Sequence, residues 1–456
     1  MSSHKRYVVV GTGGRCRMFI DAIYQAPFSE HADLVGLCDI SQTRMDFWNR
    51  HITGELGGEN LPTYHADDFD KMIAELKPDV VIVTTVDSLH HNYIIRAMEL
   101  GCDVVSEKPM TTDEVKAKAI FDAIERTGQN LRVTFNYRYQ TAISKMREII
   151  ASGAIGTPTH VDFQWYLDTS HGADYFRRWH REMDKSGGLL VHKSTHHFDL
   201  VNFLIDDYAD TVFAMGDLKF YGKENAEARG EKYSYQRYTG NVTKEQDPFA
   251  LDLTADERSK GLYFDAEKDS GYIRDRNVFG DAPPVDIYDT HAVLVRYRNG
   301  VVLNYSMYAY CPWEGERITV NGTKGTLEYF SRGQGHVIRG QSDDELADEQ
   351  YAGEKYMRLQ KMFQPPESIE IPPAKGGHGG GDAKILERIF LPDLPPDPLK
   401  RDATHIDGAA SILVGVAGNR SIATGQPVRL DDLLPLPPKA SGAQASDVAS
   451  LAGTAK

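Results

Sequence analysis

The sequence has few cysteines, and their spacing matches no common cysteine motif. Only four occur among 456 residues, at Cys16, Cys38, Cys102 and Cys311, and no two of them form a CxxC pair. Such spacing excludes the usual cysteine-based zinc and dithiol redox motifs. We therefore expect buried thiols in a reducing compartment, which favours the cytoplasm.

The chain also lacks an excess of positive charge and long apolar runs. It carries 51 Lys and Arg residues against 66 Asp and Glu residues, a net charge of −15 at pH 7. This charge repels phosphate backbones and argues against nucleic acid as a partner. No run reaches the roughly 18 apolar residues of a membrane span, and an apolar strand begins too early for a signal peptide to precede it. With 41% hydrophobic and 26% charged residues, the composition predicts a globular protein without a membrane partner.

Short apolar runs alternate with amphipathic stretches over residues 1–136. Such alternation predicts an α/β fold, here a doubly wound parallel sheet covered on both faces, and we assign these residues to a Rossmann domain. Thr112 is predicted to cap the helix that ends near Thr127. The predicted strands are 7–10, 34–38, 62–65, 80–84, 103–105 and 131–135.

From about residue 137 longer runs of alternating polarity appear, at 158–166, 292–298, 301–310 and 317–320. This period predicts an open, mostly antiparallel sheet, so residues 137–435 are expected to form an α+β domain. Polar insertions near 219–286 and 332–382 interrupt it, and long loops of this kind are commonly functional or disordered. Residues 436–456, rich in Ala, Ser and Gly, are expected to be a disordered tail.

A glycine-rich turn directly follows the first predicted strand. It reads Gly11-Thr12-Gly13-Gly14-Arg15-Cys16 and leads into a helix, which is the context of a dinucleotide-binding turn. Gly11 permits the tight turn, and Gly13 lets backbone N–H groups approach a pyrophosphate at the positive end of a helix. Cys16 stands where a third glycine is usual, and its small thiol still allows close packing. An ordinary strand-to-helix turn is the alternative.

An acidic residue, Asp39, follows the second predicted strand. It can accept hydrogen bonds from both adenosine ribose hydroxyls and would repel a 2′-phosphate, which favours NAD over NADP. Two alternatives stay open: Asp39 caps the next helix, and Arg44 leaves room for NADP. Thr85, Asp87 and His90 follow the fourth strand, at the sheet edge where such folds bind ligands, and are candidates for the cofactor cleft.

The segment Glu107-Lys108-Pro109, after the fifth strand, completes an ordered set of motifs. With the glycine turn and Asp39, this set resembles the glucose-fructose oxidoreductase, inositol dehydrogenase and MocA (Gfo/Idh/MocA) family over most of residues 5–435. The resemblance implies an NAD-binding domain, a second domain whose sheet mediates homo-oligomers, and a small sugar or polyol substrate. It extends to residues 136–139 (NYRY), 152–156 (SGAIG), the glycine pair 187–188, 196–199 (HHFD), 321–325 (NGTKG) and a helix near 407–425.

The resemblance also implies catalytic residues. Lys108 would reach the nicotinamide ribose and the reacting hydroxyl, where an ammonium stabilises charge on the alcohol oxygen, and Glu107 would pair with Lys108 or bind the ribose. His196 matches the family's general base, since a neutral imidazole can take the alcohol proton at cellular pH. His192 replaces the family's usual aspartate. At i−4 it would share a helix face with His196 and bind substrate or relay the proton.

Further substrate-binding candidates surround these groups. Tyr175, Arg178 and Trp179 combine aromatic faces with forked donors, a mixture that stacks on and hydrogen-bonds sugars, with packing and surface charge as the alternative. The glycine-rich segment 376–382 is either a plain connection or a lid that carries His378 into the cleft. We assign Arg138, Tyr175, Arg178, Trp179, His192, Lys193, His196 and His378 to the substrate, and Gly11, Thr12, Gly13, Gly14, Arg15, Asp39, Thr85, Asp87, His90, Glu107, Lys108 and Asn136 to the cofactor.

The cluster of His192, His196, His197 and Asp199 also has a spacing that zinc sites use. We predict no metal, because no HExxH glutamate is present and Lys193 adds positive charge between the ligands. His197 is expected to face the sheet instead.

Together these patterns predict an NAD-dependent dehydrogenase that oxidises a secondary hydroxyl of a sugar, glycoside or inositol, with C3 of a glucoside as one candidate. One alternative is an NAD-dependent glycoside hydrolase or lyase that acts through a transient 3-keto sugar without net NADH production. Another is a dinucleotide-binding sensor without chemistry, against which the presence of both Lys108 and His196 argues.

Overall fold

The computed structural model describes residues 4–334, 353–374 and 378–439. Residues 440–456 of the predicted tail lie outside this range. The first sheet contains β1 (Lys5–Val10), β2 (Ala32–Asp39), β3 (Thr63–His65), β4 (Val80–Val83), β5 (Asp103–Ser106) and β6 (Leu131–Val133). These strands pair in parallel in the order β3-β2-β1-β4-β5-β6. The predicted doubly wound α/β fold is thereby confirmed.

The strand order reverses between β1 and β4, which opens a crevice at the carboxyl ends of these strands, where such folds bind ligands. One helix start differs from the prediction. The carboxylate of Asp113, and not Thr112, caps the helix by accepting the backbone N–H of Lys116 at 2.9 Å. The Thr112 hydroxyl accepts the Lys116 ammonium at 2.8 Å. The helices of this domain are α1 (Arg17–Ile23), α2 (Gln42–Gly54), α3 (Phe69–Leu76), α4 (His90–Glu99) and α5 (Glu114–Thr127).

The second sheet contains β7 (Pro158–Asp168), β8 (Ala209–Asp217), β9 (Thr290–Tyr297), β10 (Val302–Cys311), β11 (Glu314–Gly322), β12 (Gly325–Gln334), β13 (Lys355–Lys361), β14 (Glu367–Ile369) and β15 (Val428–Arg429). Their order is β14-β13-β12-β11-β7-β10-β9-β8-β15. Neighbours are antiparallel except for the parallel pair β7 and β10. Buried and exposed residues alternate along β9, so one face is covered and the other open.

Helices cover the inner face of this sheet. The longest, at 405–424, packs against β8 and against the helix at 188–192. Gly415 permits this contact, because a Cβ there would lie 2.4 Å from the Leu190 carbonyl oxygen. The helices of this domain are α6 (Thr141–Ala151), α7 (Thr169–Arg177), α8 (Met183–Ser186), α9 (Gly188–His192), α10 (Thr195–Ile205), α11 (Lys223–Ala228), α12 (Glu257–Ser259), α13 (Glu267–Ser270), α14 (Gly381–Phe390) and α15 (His405–Thr424).

The two predicted insertions differ in their structure. The first holds α11 to α13 and a π-helical turn, Lys260–Phe264. The second contributes β13 and β14 to the sheet, so its assignment as an interruption is wrong: Met357 and Leu359 alternate with exposed residues and pack into the core. Residues 335–352 and 375–377 of this insertion lie outside the described range.

Helix α14 returns from the second domain to the first. Phe390 packs its ring against Tyr7 and Phe28, with centroid distances of 5.1 and 5.7 Å. The Tyr7 hydroxyl donates to the Ile389 carbonyl at 3.3 Å, and Leu386 joins the same hydrophobic cluster. The first sheet is therefore completed by residues far along the chain. In the described part of the chain, no helix combines the length and apolar character needed to cross a bilayer.

Candidate active site

A cavity of about 520 Å³ opens at the carboxyl ends of the first sheet and is closed on its other side by the second domain. It collects most of the predicted site residues from both domains. Thr12 and Arg138 do not line it, and the side chain of His378 lies outside the described part of the structure. The predicted residues that line it are Gly11, Gly13, Gly14, Arg15, Asp39, Thr85, Asp87, His90, Glu107, Lys108, Asn136, Tyr175, Arg178, Trp179, His192, Lys193 and His196.

The glycine turn forms one wall of the cavity. Gly11 has a φ of +87°, and a Cβ there would lie 2.6 Å from the Thr85 backbone nitrogen, so only glycine fits. A Cβ on Gly13 would meet nothing within 4 Å, which leaves open space beside the backbone. Cys16 is fully buried, and its thiol lies 3.0 Å from the Gly13 carbonyl oxygen. The turn thus has the shape that a pyrophosphate requires.

Asp39 holds the end of β2 against this turn. Its Oδ2 accepts the backbone N–H and the hydroxyl of Thr12 at 2.5 and 2.9 Å, and its Oδ1 accepts the Ser41 N–H at 2.9 Å. Ser41 caps α2 by accepting the Arg44 N–H, so the interpretation of Asp39 as the cap is wrong. Thr12 is fully buried and contacts Asp39 instead of lining the cavity.

Lys108 lines the same cavity as Asp39. Its ammonium is 3.4 Å from the His192 carbonyl oxygen. Burial, and after it the nearby Lys193 charge, lowers the pKa of Lys108 to about 8. Glu107 does not pair with this ammonium: its Oε1 accepts from the Arg15 guanidinium at 2.8 Å. The pKa of the Lys108 ammonium is thus close to neutral pH.

His192 makes the contact that the sequence interpretation missed. Its Nδ1 lies 2.5 Å from Oδ2 of Asp87, which belongs to the other domain. Burial lowers the pKa of His192 well below 6.5 and raises that of Asp87. His180 packs edge-on against His192 at 4.1 Å and stacks on Trp179 at 3.6 Å. With Nδ1 occupied by Asp87, Nε2 is the atom of His192 that can take a proton.

His196 lines the cavity from α10 and is 4% exposed. Its ring stacks on Tyr137 with a centroid distance of 4.0 Å. The prediction that His192 and His196 share one helix face is wrong, because the helix breaks between them. Lys193 and Ser194 both donate their backbone N–H groups to the carbonyl of a single residue, Leu189, at the end of α9.

Two neighbouring side chains of this segment have distinct surroundings. Nδ1 of His197 lies 2.7 Å from the Tyr305 hydroxyl, and its ring stacks on Trp165, so the prediction that His197 faces the sheet is confirmed. Lys193 places its ammonium 4.6 Å from the centre of the Trp165 ring and donates to the Tyr137 hydroxyl at 3.3 Å. Lys193 lines the cavity although it is only 4% exposed.

Arg138, predicted to bind substrate, lies outside the cavity. Its guanidinium donates two bonds to Asp199, at 2.8 and 2.5 Å, and lies 3.0 Å from Asp407. It is 2% exposed and therefore joins α10 to α15 within the core. Among residues 4–334, 353–374 and 378–439, no group of three or more His, Cys, Asp or Glu side chains could hold a metal ion.

Two regions of this chain match the two domains of one protein family. Residues 5–135 match "Oxidoreductase family, NAD-binding Rossmann fold", and residues 147–430 match "Oxidoreductase family, C-terminal alpha/beta domain". The chain belongs to the Gfo/Idh/MocA oxidoreductase family. The resemblance inferred from the ordered motifs is thereby confirmed.

Relatives within the Gfo/Idh/MocA family cover different shares of the chain. The putative oxidoreductase YteT of Bacillus subtilis is 35% identical over 441 residues, 94% of this chain and 98% of that protein. The D-glucoside 3-dehydrogenase of Escherichia coli is 26% identical over 159 residues, 34% of this chain and 41% of that protein. An Agrobacterium radiobacter oxidoreductase, solved with NAD⁺, L-tartaric acid and magnesium, covers 95% of this chain and 100% of its own, with a TM-score of 0.61 and 15% identity.

The cavity contains most of the cofactor residues that the sequence motifs predict, and long-range packing adds further lining residues. Two of the added residues belong to stretches that the sequence singled out: Tyr137 to the NYRY segment, and His180 to the end of the predicted sugar-binding stretch 175–180. Glu314, for example, lines the cavity and lies 2.8 Å from Nδ1 of His171. The cavity-lining residues without an assignment from the sequence include Tyr137, Trp165, His171, His180, Tyr263, Tyr272 and Glu314.

Proposed function

We propose that this protein is an NAD-dependent dehydrogenase that oxidises a secondary hydroxyl of a sugar, glycoside or inositol. The observation that carries the proposal is the convergence of Lys108, His196 and the His192–Asp87 pair in one cavity with a dinucleotide turn. When bound, NAD supplies the electron acceptor for oxidation of a carbon. The D-glucoside 3-dehydrogenase relative supports a glucoside as one substrate class.

Lys108 stabilises the alcohol oxygen in this proposal. A partly buried ammonium with a pKa of about 8 donates a hydrogen bond to that oxygen and offsets the negative charge that develops as the alcohol loses its proton. Because Lys108 is partly removed from solvent, this interaction is stronger than it would be in bulk water. Lys108 therefore lowers the barrier to oxidation by electrostatics.

In this proposal His192 takes the alcohol proton, in place of His196, to which the family resemblance assigned that role. Asp87 holds Nδ1 at 2.5 Å and stabilises the imidazolium that forms once Nε2 has been protonated. His192 stands where the family usually has an aspartate, and Asp87 provides a carboxylate at this place instead. His196, stacked on Tyr137, then binds the substrate ring beside the reacting hydroxyl, and Lys193 contacts a second substrate oxygen.

Asp39 supports the proposed preference for NAD over NADP. Its carboxylate is 5% exposed, lines the cavity and lies 3.6 Å from the Arg44 guanidinium. Because Arg44 is paired with this carboxylate, its charge is partly neutralised and less available to a 2′-phosphate.

We also propose a homo-oligomer that forms through the open sheet. Met215, Leu294 and Val302 on its outer face are 66%, 51% and 38% exposed. Large exposed apolar side chains on one face favour association. Light scattering measures the mass in solution, and a monomer at micromolar concentration contradicts this part of the proposal.

A substrate screen tests the enzymatic function. Sugars, glycosides, sugar acids and inositols are incubated with NAD⁺, and absorbance at 340 nm reports NADH. Lys108→Met and His192→Gln are each expected to lower kcat/KM by about 10²- to 10⁴-fold. The matched controls are Lys116→Met and His160→Gln, which alter partly exposed groups outside the cavity.

Three results would contradict the assignment. Near-normal turnover by either active-site variant shows that the residue does not have its proposed role. Tight NAD binding without NADH from any member of the panel favours a dinucleotide sensor. Glycoside cleavage without net NADH favours the hydrolase or lyase alternative.

A further inference from the structure

Lys193 brings a nearly buried ammonium group to the wall of the cavity. The residue is 4% exposed and lines the cavity between α9 and α10. Its ammonium lies 4.6 Å from the centre of the Trp165 ring and donates to the Tyr137 hydroxyl at 3.3 Å. In the described part of the chain, this hydroxyl is the one oxygen that accepts from Lys193. Since an ammonium has three N–H donors, two remain for a bound molecule.

The four carboxylates that line the cavity are engaged with groups other than Lys193. No carboxylate oxygen of the described residues lies within 4.0 Å of the Lys193 ammonium. Its positive charge therefore has no direct partner on the protein. The four pairs are Asp39 with Arg44, Asp87 with His192, Glu107 with Arg15 and Glu314 with His171, at 3.6, 2.5, 2.8 and 2.8 Å.

Two acidic side chains of β11 lie near Lys193 without pairing with it. Glu314 is held by His171. Glu316 is 6% exposed, and its Oε2 has no hydrogen-bond partner among the described residues. Burial raises the pKa of Glu316 to about 7, against the opposing effect of the Lys193 charge, so this carboxyl is only partly ionised at neutral pH. The charge of Lys193 is thus incompletely balanced within the protein.

Lys193 also lies close to the group that would hold the reacting hydroxyl. The Lys108 ammonium is 3.4 Å from the carbonyl oxygen of His192, the residue directly before Lys193. After burial, the Lys193 charge has the largest effect in lowering the pKa of Lys108. One small substrate can therefore contact both ammonium groups at the same time.

We propose that the substrate is a uronic acid or its glycoside, whose carboxylate binds the Lys193 ammonium while a ring hydroxyl lies at Lys108. This inference rests on the proposed dehydrogenase function and names its substrate class. A carboxylate accepts from the remaining donors of Lys193 and supplies the negative charge that this nearly buried ammonium lacks. A phosphate dianion requires a second cation, and the Arg178 guanidinium that lines the cavity is already paired with Asp174.

Binding of matched sugars tests the carboxylate site without reference to turnover. Isothermal titration calorimetry uses the full-length protein loaded with NADH, which cannot oxidise an alcohol. The probes are the methyl glycosides of glucuronate and galacturonate, the corresponding uronamides, which keep the size of the carboxylate without its charge, and the methyl glycosides of glucose and galactose. At least one acid is expected to bind at least about tenfold more tightly than its amide, because a charge-assisted hydrogen bond is lost in the amide.

Lys193→Met and Lys193→Gln are each expected to bring the affinities for acid and amide to within about threefold of each other. Lys145→Met is the matched control, because Lys145 pairs with Glu148 outside the cavity, and its preference is expected within about twofold of wild type. Thermal unfolding is recorded for each variant, and the comparison of acid with amide in the wild type remains decisive if neither Lys193 variant folds. Equal binding of every acid and its amide, tighter binding of a matched sugar phosphate, or a preference that survives both Lys193 substitutions overturns the inference.

Turnover of the same compounds with NAD⁺ separates this inference from the proposed function. Absorbance at 340 nm is expected to give a kcat/KM for the preferred acid at least about tenfold above that for its neutral counterpart. Formation of NADH from a neutral sugar with equal or higher kcat/KM supports the dehydrogenase and overturns the assignment of a sugar acid. Binding of an acid that depends on Lys193, without NADH from any compound, overturns the proposed function, while the carboxylate site stands.

Discussion

Replacing Asp87 with asparagine tests the proposal that His192, held by Asp87, accepts the alcohol proton. The substitution removes the carboxylate charge and keeps the side-chain shape. The wild-type carboxylate is 3% exposed and lies 2.5 Å from Nδ1 of His192. A hydrogen bond to a charged group contributes about 1.5–3 kcal/mol, and each 1.36 kcal/mol changes a rate about tenfold. If this interaction acts mainly in the transition state, Asp87→Asn lowers kcat by about 10- to 150-fold.

The same substitution changes the pH dependence in a defined direction. The Asp87 charge raises the pKa of Lys108, which is about 8 in the wild type because burial lowers it. Removing the negative charge therefore lowers that pKa further. Because protonated Lys108 is the active form in our proposal, activity is lost as pH rises through its pKa. The alkaline limb of kcat/KM is therefore expected near pH 8 in the wild type and at lower pH in Asp87→Asn.

Steady-state rates at 340 nm, measured from neutral to alkaline pH on the best substrate of the screen, give both quantities. Ser88→Ala, on the same turn, is the matched control and is expected to keep wild-type kcat and pH dependence. Fluorescence titration checks that NAD binding by Asp87→Asn stays within about threefold, so that the loss reflects chemistry. An unchanged kcat, or an alkaline limb that does not move, would refute the assigned roles of Asp87 and Lys108.

Three further substitutions test other parts of the site. Asp39→Ala is expected to lower the ratio of kcat/KM for NAD to that for NADP at least about tenfold, because the carboxylate that repels a 2′-phosphate is gone; an unchanged ratio contradicts the assignment. Arg138→Met leaves Asp199 and Asp407 without their buried partner and is expected to cost about 3–5 kcal/mol in urea unfolding, with KM unchanged where the variant is folded. A raised KM with full stability would instead place Arg138 in substrate binding. Lys193→Met is expected to raise the sugar KM at least about tenfold by removing a charged hydrogen-bond donor, while the NAD dissociation constant, measured by fluorescence, stays the same.

Much of the first domain followed from local pattern. Buried parallel strands are nearly continuous apolar runs, so the strands at 7–10 and 80–84 could be read directly, and the glycine turn and Asp39 stand at fixed positions after strands. The edge strand at 62–65 has the weakest sequence pattern of the six, because it is short and partly exposed. Alternating polarity likewise predicted the main strands of the second sheet, although not the edge pair β13 and β14.

The site was less predictable because its decisive contacts join distant residues. His192 and Asp87 are separated by 105 positions, and no periodicity connects them. Arg138 looked like a sugar-binding donor, since the sequence gives no sign that Asp199 and Asp407 would surround it. Residues 257–274 of the first insertion have no recognisable motif, and the contact of Tyr263 with Gly14 of the glycine turn forms only when the two domains pack together.

Helix α14 has a consequence for how the polypeptide acquires its structure during synthesis. Phe390 packs against the rings of Tyr7 and Phe28. During synthesis the surface that these two rings form therefore remains exposed until residue 390 has left the ribosome. A fragment ending at residue 136 would keep that surface exposed to solvent and to other chains, which promotes aggregation. The amino-terminal sheet therefore completes its packing only after helix α14 of the carboxy-terminal half has docked on it.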